Sequence, residues 1–273
     1  MAASIDTVEF VRRYGPCALV TGGANGIGAE YCRQLAAAGM DLVILDRDDK
    51  ALDAIAAELA GGRHVKTVAV DLASSAEQLL AAVRNITRDH EIGLLVANAA
   101  WSPVGPFIDT DLESLLTAVD VNSRATVVLA HELGRAMARR GRGGIVVMSS
   151  LAAETGAAQV ALYSATKAFN LVLAEGLWYE LRDRGVDVIA IRPGSTRTAS
   201  WQSTQPADGD VSDAMEPADV VADALSMLGT TPSVPSGEAN RQAERYFRSL
   251  SRREVIELMS AITSKLVPPP DTE

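Results

Sequence analysis

Six short apolar runs recur along the chain as far as Ile191, and each of the first five is followed by a segment rich in alanine and leucine. The runs are Cys17–Thr21, Asp41–Leu45, Val65–Val70, Gly93–Ala97, Gly144–Ser149 and Val186–Ile191. They read as near-continuous hydrophobic strands, as in LVILD, LLVA, IVVMS and VDVIAI, the pattern of strands covered on both faces. The segments between them, Gly28–Ala38, Asp49–Leu59, Ser75–His90, Leu112–Arg140 and Ala161–Arg184, are long enough for crossover helices. Repeated β-then-α units with no evident linker imply one doubly wound α/β domain with helices on both faces of a parallel sheet of six to seven strands. Residues 1–236 are expected to form that domain.

Beyond Ile191 the pattern changes. Gly194–Asp213 is a long polar segment carrying an isolated Trp201, and in such a fold it lies past the carboxyl end of a strand. A short helix, Ala218–Leu228, follows Pro217, and Ser233–Asn240 has room for a short edge strand. Residues 237–273 read as a helical tail, with one apolar stripe through Ala239, Ala243, Tyr246/Phe247 and Leu250 and another through Val255, Leu258/Met259, Ile262 and Leu266. The tail is expected to pack on its own domain or a subunit interface. Five arginines against two glutamates in Gly237–Arg253 leave a partner or a membrane surface as alternatives.

Composition narrows the function classes. Lys and Arg number 25 against 35 Asp and Glu, a net charge of −10, and only 4% of residues are aromatic. That is not the footprint of a nucleic-acid binder. Cys17 and Cys32 cannot build a disulfide framework and read as buried thiols. Three scattered histidines offer no metal-ligand spacing, so no metal site is expected. The N-terminus lacks the apolar core of a signal peptide, and no apolar run has the ~20 residues of a membrane span. A cytoplasmic protein is the expectation.

The first strand runs into Thr21-Gly22-Gly23-Ala24-Asn25-Gly26-Ile27-Gly28 and then into a helix. Glycines there permit a tight turn and a close backbone approach to a pyrophosphate, which the helix N-terminus attracts. This is the Rossmann-like arrangement. Later, Tyr163 and Lys167 stand four residues apart, so on a helix they share one face. A free tyrosine, with a pKa of about 10, is a poor base at neutral pH. A neighbouring ammonium and the positive ring of an oxidised nicotinamide would favour its phenolate, and the phenol donates a proton in the reverse direction.

The glycine spacing, with Gly22, Gly26 and Gly28, resembles that of the short-chain dehydrogenase/reductase family, and further motifs support the resemblance. It implies NAD(P) contacts at Gly22, Asn25, Gly26, Ile27 and Gly28. Asp46, at the end of the second run, is placed to accept hydrogen bonds from both ribose hydroxyls and to repel a 2′-phosphate, which favours NAD. Arg47 beside it keeps NADP as the alternative. Asp71 and Leu72 match the adenine-contacting position. Asn98, Ala99 and Ala100 stand where the family usually has Asn-Ala-Gly, so Ala100 departs from its pattern. Pro193, Gly194, Thr196 and Thr198 match the segment that seats the nicotinamide carboxamide.

In the family's catalytic set Ser150, 13 positions before Tyr163, orients the substrate oxygen, and Tyr163 is the acid/base. Lys167 tunes the tyrosine and holds the ribose, and Asn122 kinks its helix and supports a proton path. The resemblance therefore implies reversible hydride transfer between NAD(H) and a secondary alcohol or ketone of apolar character. A homodimer or homotetramer is expected. An NADP-dependent 3-oxoacyl or hydroxysteroid-type reductase is the alternative enzyme. A non-catalytic dinucleotide sensor or scaffold is the alternative from another class, and the intact Ser150, Tyr163 and Lys167 argue against it.

Overall fold

The computed structural model describes residues 6–206 and 214–266. Seven parallel strands form one sheet in the order β3-β2-β1-β4-β5-β6-β7. They are β1 (Cys17–Thr21), β2 (Asp41–Asp46), β3 (Val65–Ala69), β4 (Ile92–Ala97), β5 (Gly143–Met148), β6 (Val186–Arg192) and β7 (Ser233–Pro235). Order reverses between β1 and β4, so the crevice above their carboxyl ends is the switch point where such folds place ligands.

The apolar runs explain the sheet. Successive side chains point to opposite faces, and both faces are covered. On one face Ala18, Val20, Leu42, Ile44, Leu94 and Val96 meet Tyr31 and Leu35 of α2 (Gly26–Ala37), Leu52 and Ile55 of α3 (Asp49–Glu58), and Val220 and Leu225 of α9 (Pro217–Met227). On the other, Leu19, Val43, Leu95, Ile145, Val147 and Val188 meet Leu79 and Val83 of α4 (Ala76–Asp89), Leu129 and Leu133 of α6 (Ala125–Arg140), and Ala174 of α7 (Ala161–Leu181). Each such aliphatic side chain contributes about 1.5–3 kcal/mol on burial.

Several boundaries depart from the sequence reading, each for a local reason. An additional helix, α1 (Thr7–Tyr14), precedes β1. Asp6 caps it, and Tyr14 is buried beneath the sheet with its hydroxyl donating to Asp187 at 2.8 Å. Helix α2 begins at Gly26 and not at Gly28, because Gly26 adopts the positive φ that opens the turn. Strand β3 is not fully buried; it is an edge strand, and Lys66 is exposed. Leu112–Arg140 is not one regular helix. A π-turn, Asp120–Arg124, joins α5 (Leu112–Val119) to α6.

The tail also divides. Helix α10 (Glu238–Ser249) ends at Leu250, and Ser251 opens α11 (Arg252–Thr263) with a reciprocal capping box to Glu254. Of the polar segment after β6, the described part carries one helical turn, α8 (Ala199–Gln202), and a bridge from Thr196 to Met215. Residues 207–213 of that segment and 267–273 of the tail lie outside the described residues.

Cysteines 17 and 32 are both buried as free thiols. No helix among the described residues is long and apolar enough to cross a membrane.

At Gly28 the β1–α2 turn leaves no room for a side chain. A Cβ on Gly28 would stand 1.9 Å from the Gly22 carbonyl oxygen. Gly28→Ala is therefore expected to destabilise the protein by at least the ~1–3 kcal/mol typical of overpacking. Gly156→Ala, with open space around it, should change urea unfolding little.

Candidate active site

The dinucleotide end is built by three strand termini. Asn98, just past β4, donates from Nδ2 to the carbonyls of Thr21 and Gly22 at 2.9 and 3.2 Å. Thr21 returns the tie, its Oγ1 accepting from the Asn98 and Ala99 amides at 3.0 and 3.1 Å. The glycine turn is thus fixed to β4 before any ligand arrives. Asn25 precedes α2 with an exposed side chain that makes no capping bond. The first amides of α2 are therefore left for an anionic ligand. An open cradle, uncapped amides and glycines that exclude side chains fit a pyrophosphate.

At the end of β2 the Asp46 carboxylate accepts from three backbone amides: Ala24 at 3.1 Å, Arg47 at 2.8 Å and Asp48 at 3.3 Å. The Arg47 guanidinium lies 5.6 Å from the Trp101 ring centroid. Ile27 packs partly against the core, Leu72 is buried, and Asp71 closes its own turn by accepting from the Ala73 amide at 2.9 Å. Ala100 is exposed. On the opposite wall Thr198 touches the glycine turn, since a Cβ on Gly26 would stand 3.1 Å from its Cγ2. Thr198 also caps α8 through the Trp201 amide, and Thr196 donates to the Gly194 carbonyl at 3.1 Å.

The catalytic candidates meet where β5 ends against α7. Lys167 is 3% exposed, and its ammonium donates to the Met148 carbonyl at 2.8 Å. Its Nζ stands 5.5 Å from the centroid of the Tyr163 ring. Ser149 and Ser150 divide their roles. Ser149 is buried and donates to the Lys167 carbonyl at 2.8 Å, a structural tie between β5 and α7. Ser150 faces the phenol, accepts from the Ala152 amide at 3.1 Å and contacts the Pro193 carbonyl at 3.4 Å.

Asn122 sits in the π-turn, fully buried. It accepts from the Trp101 amide at 2.7 Å and donates to the Trp101 carbonyl and to Thr166 Oγ1 at 2.8 and 3.0 Å. Both ends of its side chain are thereby engaged, so it fixes the β4–α5 loop against α7.

Burial dominates the electrostatics of the pair. It pushes the Tyr163 phenol above its ordinary value, and the Ser150 hydrogen bond opposes this. Burial also pulls the Lys167 ammonium down to about 8. The bare chain therefore holds the phenol protonated. The positive ring of an oxidised nicotinamide, bound beside the phenol, would favour the phenolate.

Two features escaped the sequence. Met259 and Leu266 of the tail pack with Val104, Ala157, Val160 and Tyr163 in one apolar cluster. Arg192, beneath the Pro193–Gly194 turn, is buried between Glu154 and Glu244. The apolar stripe of the tail was visible, but its target was not. Trp178 packs partly against the core, and Trp201 lies half-buried on α8.

Comparison with known proteins decides the family. A profile described as short chain dehydrogenase matches residues 16–209. The chain belongs to the short-chain dehydrogenase family. The 7beta-hydroxysteroid dehydrogenase of Clostridium sardiniense is 30% identical over 254 residues, which span 91% of this chain and 96% of that protein. A structure solved in work on 7beta-hydroxysteroid dehydrogenase stereoselectivity superposes with a TM-score of 0.82 at 28% identity, covering 92% of this chain and 98% of the other. A short-chain dehydrogenase from Sphingobium yanoikuyae in complex with NADPH gives 0.73 at 33% identity, covering 86% and 94%.

This short-chain dehydrogenase is accordingly an oxidoreductase of CH–OH groups that uses NAD or NADP.

The Lys167 shift sets a pH prediction. Between pH 8 and 10.5 the unfolded chain holds the lysine proton that the folded chain has released, so stability rises with pH across that window. The buried cysteines, raised to about 12, work the other way above pH 9. The rise should therefore show most clearly from pH 8 to 9 in ligand-free protein, as the difference in urea unfolding between wild type and Lys167→Met.

Proposed function

We propose that this enzyme interconverts a bulky, apolar secondary alcohol and its ketone with NAD(H). Tyr163 is the acid/base, Lys167 tunes it and holds the ribose, Ser150 orients the reacting oxygen, and Asn122 supports the proton path through the loop it fixes. A bound nicotinamide supplies or accepts the hydride. In reduction the Tyr163 hydroxyl gives its proton to the forming alkoxide, and in oxidation the phenolate takes the alcohol proton. Ser150 holds that oxygen within reach of the phenol.

One observation carries the substrate class. Beside Tyr163 lies an apolar cluster of Val104, Ala157, Val160, Met259 and Leu266. Such a surface favours a hydrocarbon body over a sugar or an acid. The similar 7beta-hydroxysteroid dehydrogenase bears the name of a substrate of that kind.

The cofactor reading rests on Asp46. Its carboxylate is held by three amides at the end of β2, where it favours ribose hydroxyls and opposes a 2′-phosphate. Arg47, exposed beside it and stacked on Trp101, supports the second reading, an NADP-dependent reductase of 3-oxoacyl or hydroxysteroid type.

A homodimer or homotetramer is supported by exposed apolar residues on neighbouring helices: Leu112, Leu116 and Val119 of α5, and Phe169, Val172 and Tyr179 of α7. Residues 1–236 act as the catalytic domain and 237–273 as a tail packed on it. Cytoplasmic residence completes the reading.

The test is a panel of ketones of rising apolar bulk, assayed with both cofactors. NADH should exceed NADPH in kcat/KM by roughly tenfold or more, the equivalent of about 1.4 kcal/mol of charge repulsion. Met259→Ala should raise KM for the bulkiest ketones by a similar factor and leave small ones unchanged. NADPH preference would contradict the Asp46 assignment. Uniform KM values across the panel would contradict the apolar wall.

A further inference from the structure

The active-site Ser150 and the Pro193–Gly194 turn both lean on a buried arginine. Arg192 is the last residue of β6, and its side chain is only 5% exposed. Its Nη1 contacts two carboxylates from separate parts of the chain. Glu154 belongs to the 3-10 turn that starts directly after Ser150, and Glu244 is on α10 at 2.8 Å. Arg248, exposed to solvent, reaches the same Glu244 oxygen at 2.8 Å. The Nε of Arg192 is buried without a hydrogen-bond partner. A guanidinium so placed is costly to leave unpaired, because burial removes the water that would otherwise solvate it.

The backbone around it belongs to the site. The Pro193 carbonyl accepts from the Leu151 amide at 3.0 Å and faces the Ser150 hydroxyl at 3.4 Å. The Arg192 carbonyl accepts from the Ser236 amide at 3.2 Å. Asn240 of α10 packs onto Gly194: a Cβ there would stand 2.5 Å from its Oδ1. The Asn240 Nδ2 donates to the Ser236 carbonyl at 2.7 Å. Helix α10 thus bears on the nicotinamide-side turn in two places, once through packing and once through charge.

We propose that Glu244 is a positioning residue for the hydride-transfer reaction. It acts through Arg192 to hold the Pro193–Gly194 turn and the Ser150 loop in one register, which makes the C-terminal tail part of the working site. The inference rests on the roles given above to Ser150 and to that turn. Loss of the Glu244 charge leaves Arg192 with Glu154 as its one carboxylate and α10 with only the Asn240 packing on the turn. Misplacement of the turn and of Ser150 then lowers the rate more than it lowers binding.

The test uses the full chain and compares Glu244→Gln with Glu238→Gln. Glu238 forms exposed ion pairs with Arg241 and Arg245 on the same helix, so its loss weakens α10 without unclamping Arg192. Glu244→Gln should lower kcat roughly tenfold with KM little changed. It should also speed backbone amide hydrogen exchange at Leu151 and Ser236, whereas Glu238→Gln should do neither. Glu244→Asp keeps the charge and should restore most of both; if the glutamine variant does not fold, the aspartate variant is read against wild type for the same two effects at smaller amplitude.

Unchanged exchange at Leu151 and Ser236 would overturn the proposal, and so would faster exchange with unchanged kcat. A wild-type enzyme that turned over no ketone would instead overturn the reading of the site as a ketone reductase, and the exchange result would still decide the clamp.

Discussion

A single buried contact organises the catalytic half of this molecule: the Lys167 ammonium against the carbonyl of Met148. An ammonium at 3% exposure needs a fixed acceptor, and the carbonyl at the end of β5 supplies one. That contact, with the Ser149 hydroxyl on the Lys167 carbonyl, sets the register of α7 against β5. Tyr163, one turn earlier, then stands over the site, and Ser150, the next residue past the strand, faces it. Desolvation lowers the Lys167 ammonium to about 8 and raises the Tyr163 phenol above its ordinary value. Under the proposed mechanism the protonated phenol, the donor for reduction, is then the resting form.

Much of this was legible in the sequence because the fold repeats simple periods. Continuous apolar runs identified six of the strands, and glycine and Tyr/Lys spacing located both ends of the site. Where the reading failed, the missing information was three-dimensional. Helix α1 is only eight residues long, and its signals are a capping aspartate, Glu9 and Arg12/Arg13 at its ends and Phe10/Tyr14 one turn apart. The π-turn at Asp120–Arg124 looks like ordinary helix in sequence, yet it is what turns Asn122 inward to hold Trp101. The phenol's upward shift depends on burial, which residue spacing does not encode.

The tail illustrates the same limit. Its amphipathic stripes pointed to packing on its own domain or a subunit, and five arginines near its start left a partner or a membrane surface as alternatives. In the structure Arg241, Arg245 and Arg248 pair with glutamates of α10 itself, and Arg253 pairs with Glu257 of α11. The apolar side chains of Met259 and Leu266 turn toward Tyr163. Glu244, which reads as one charge among many, is directed inward to Arg192. Charge counting could not separate an internal ion pair from a docking surface, because the two differ only in which residues face each other.

The central claim is that the Tyr163 hydroxyl, oriented with Ser150 and backed by Lys167, delivers the proton to the reacting oxygen. Its most direct test is the single-turnover rate of ketone reduction by Tyr163→Phe, measured beside the NADH dissociation constant. The account predicts that the rate falls by roughly 10²–10⁴, the usual worth of a positioned acid or base, while NADH affinity stays nearly unchanged. A rate equal to wild type would contradict it.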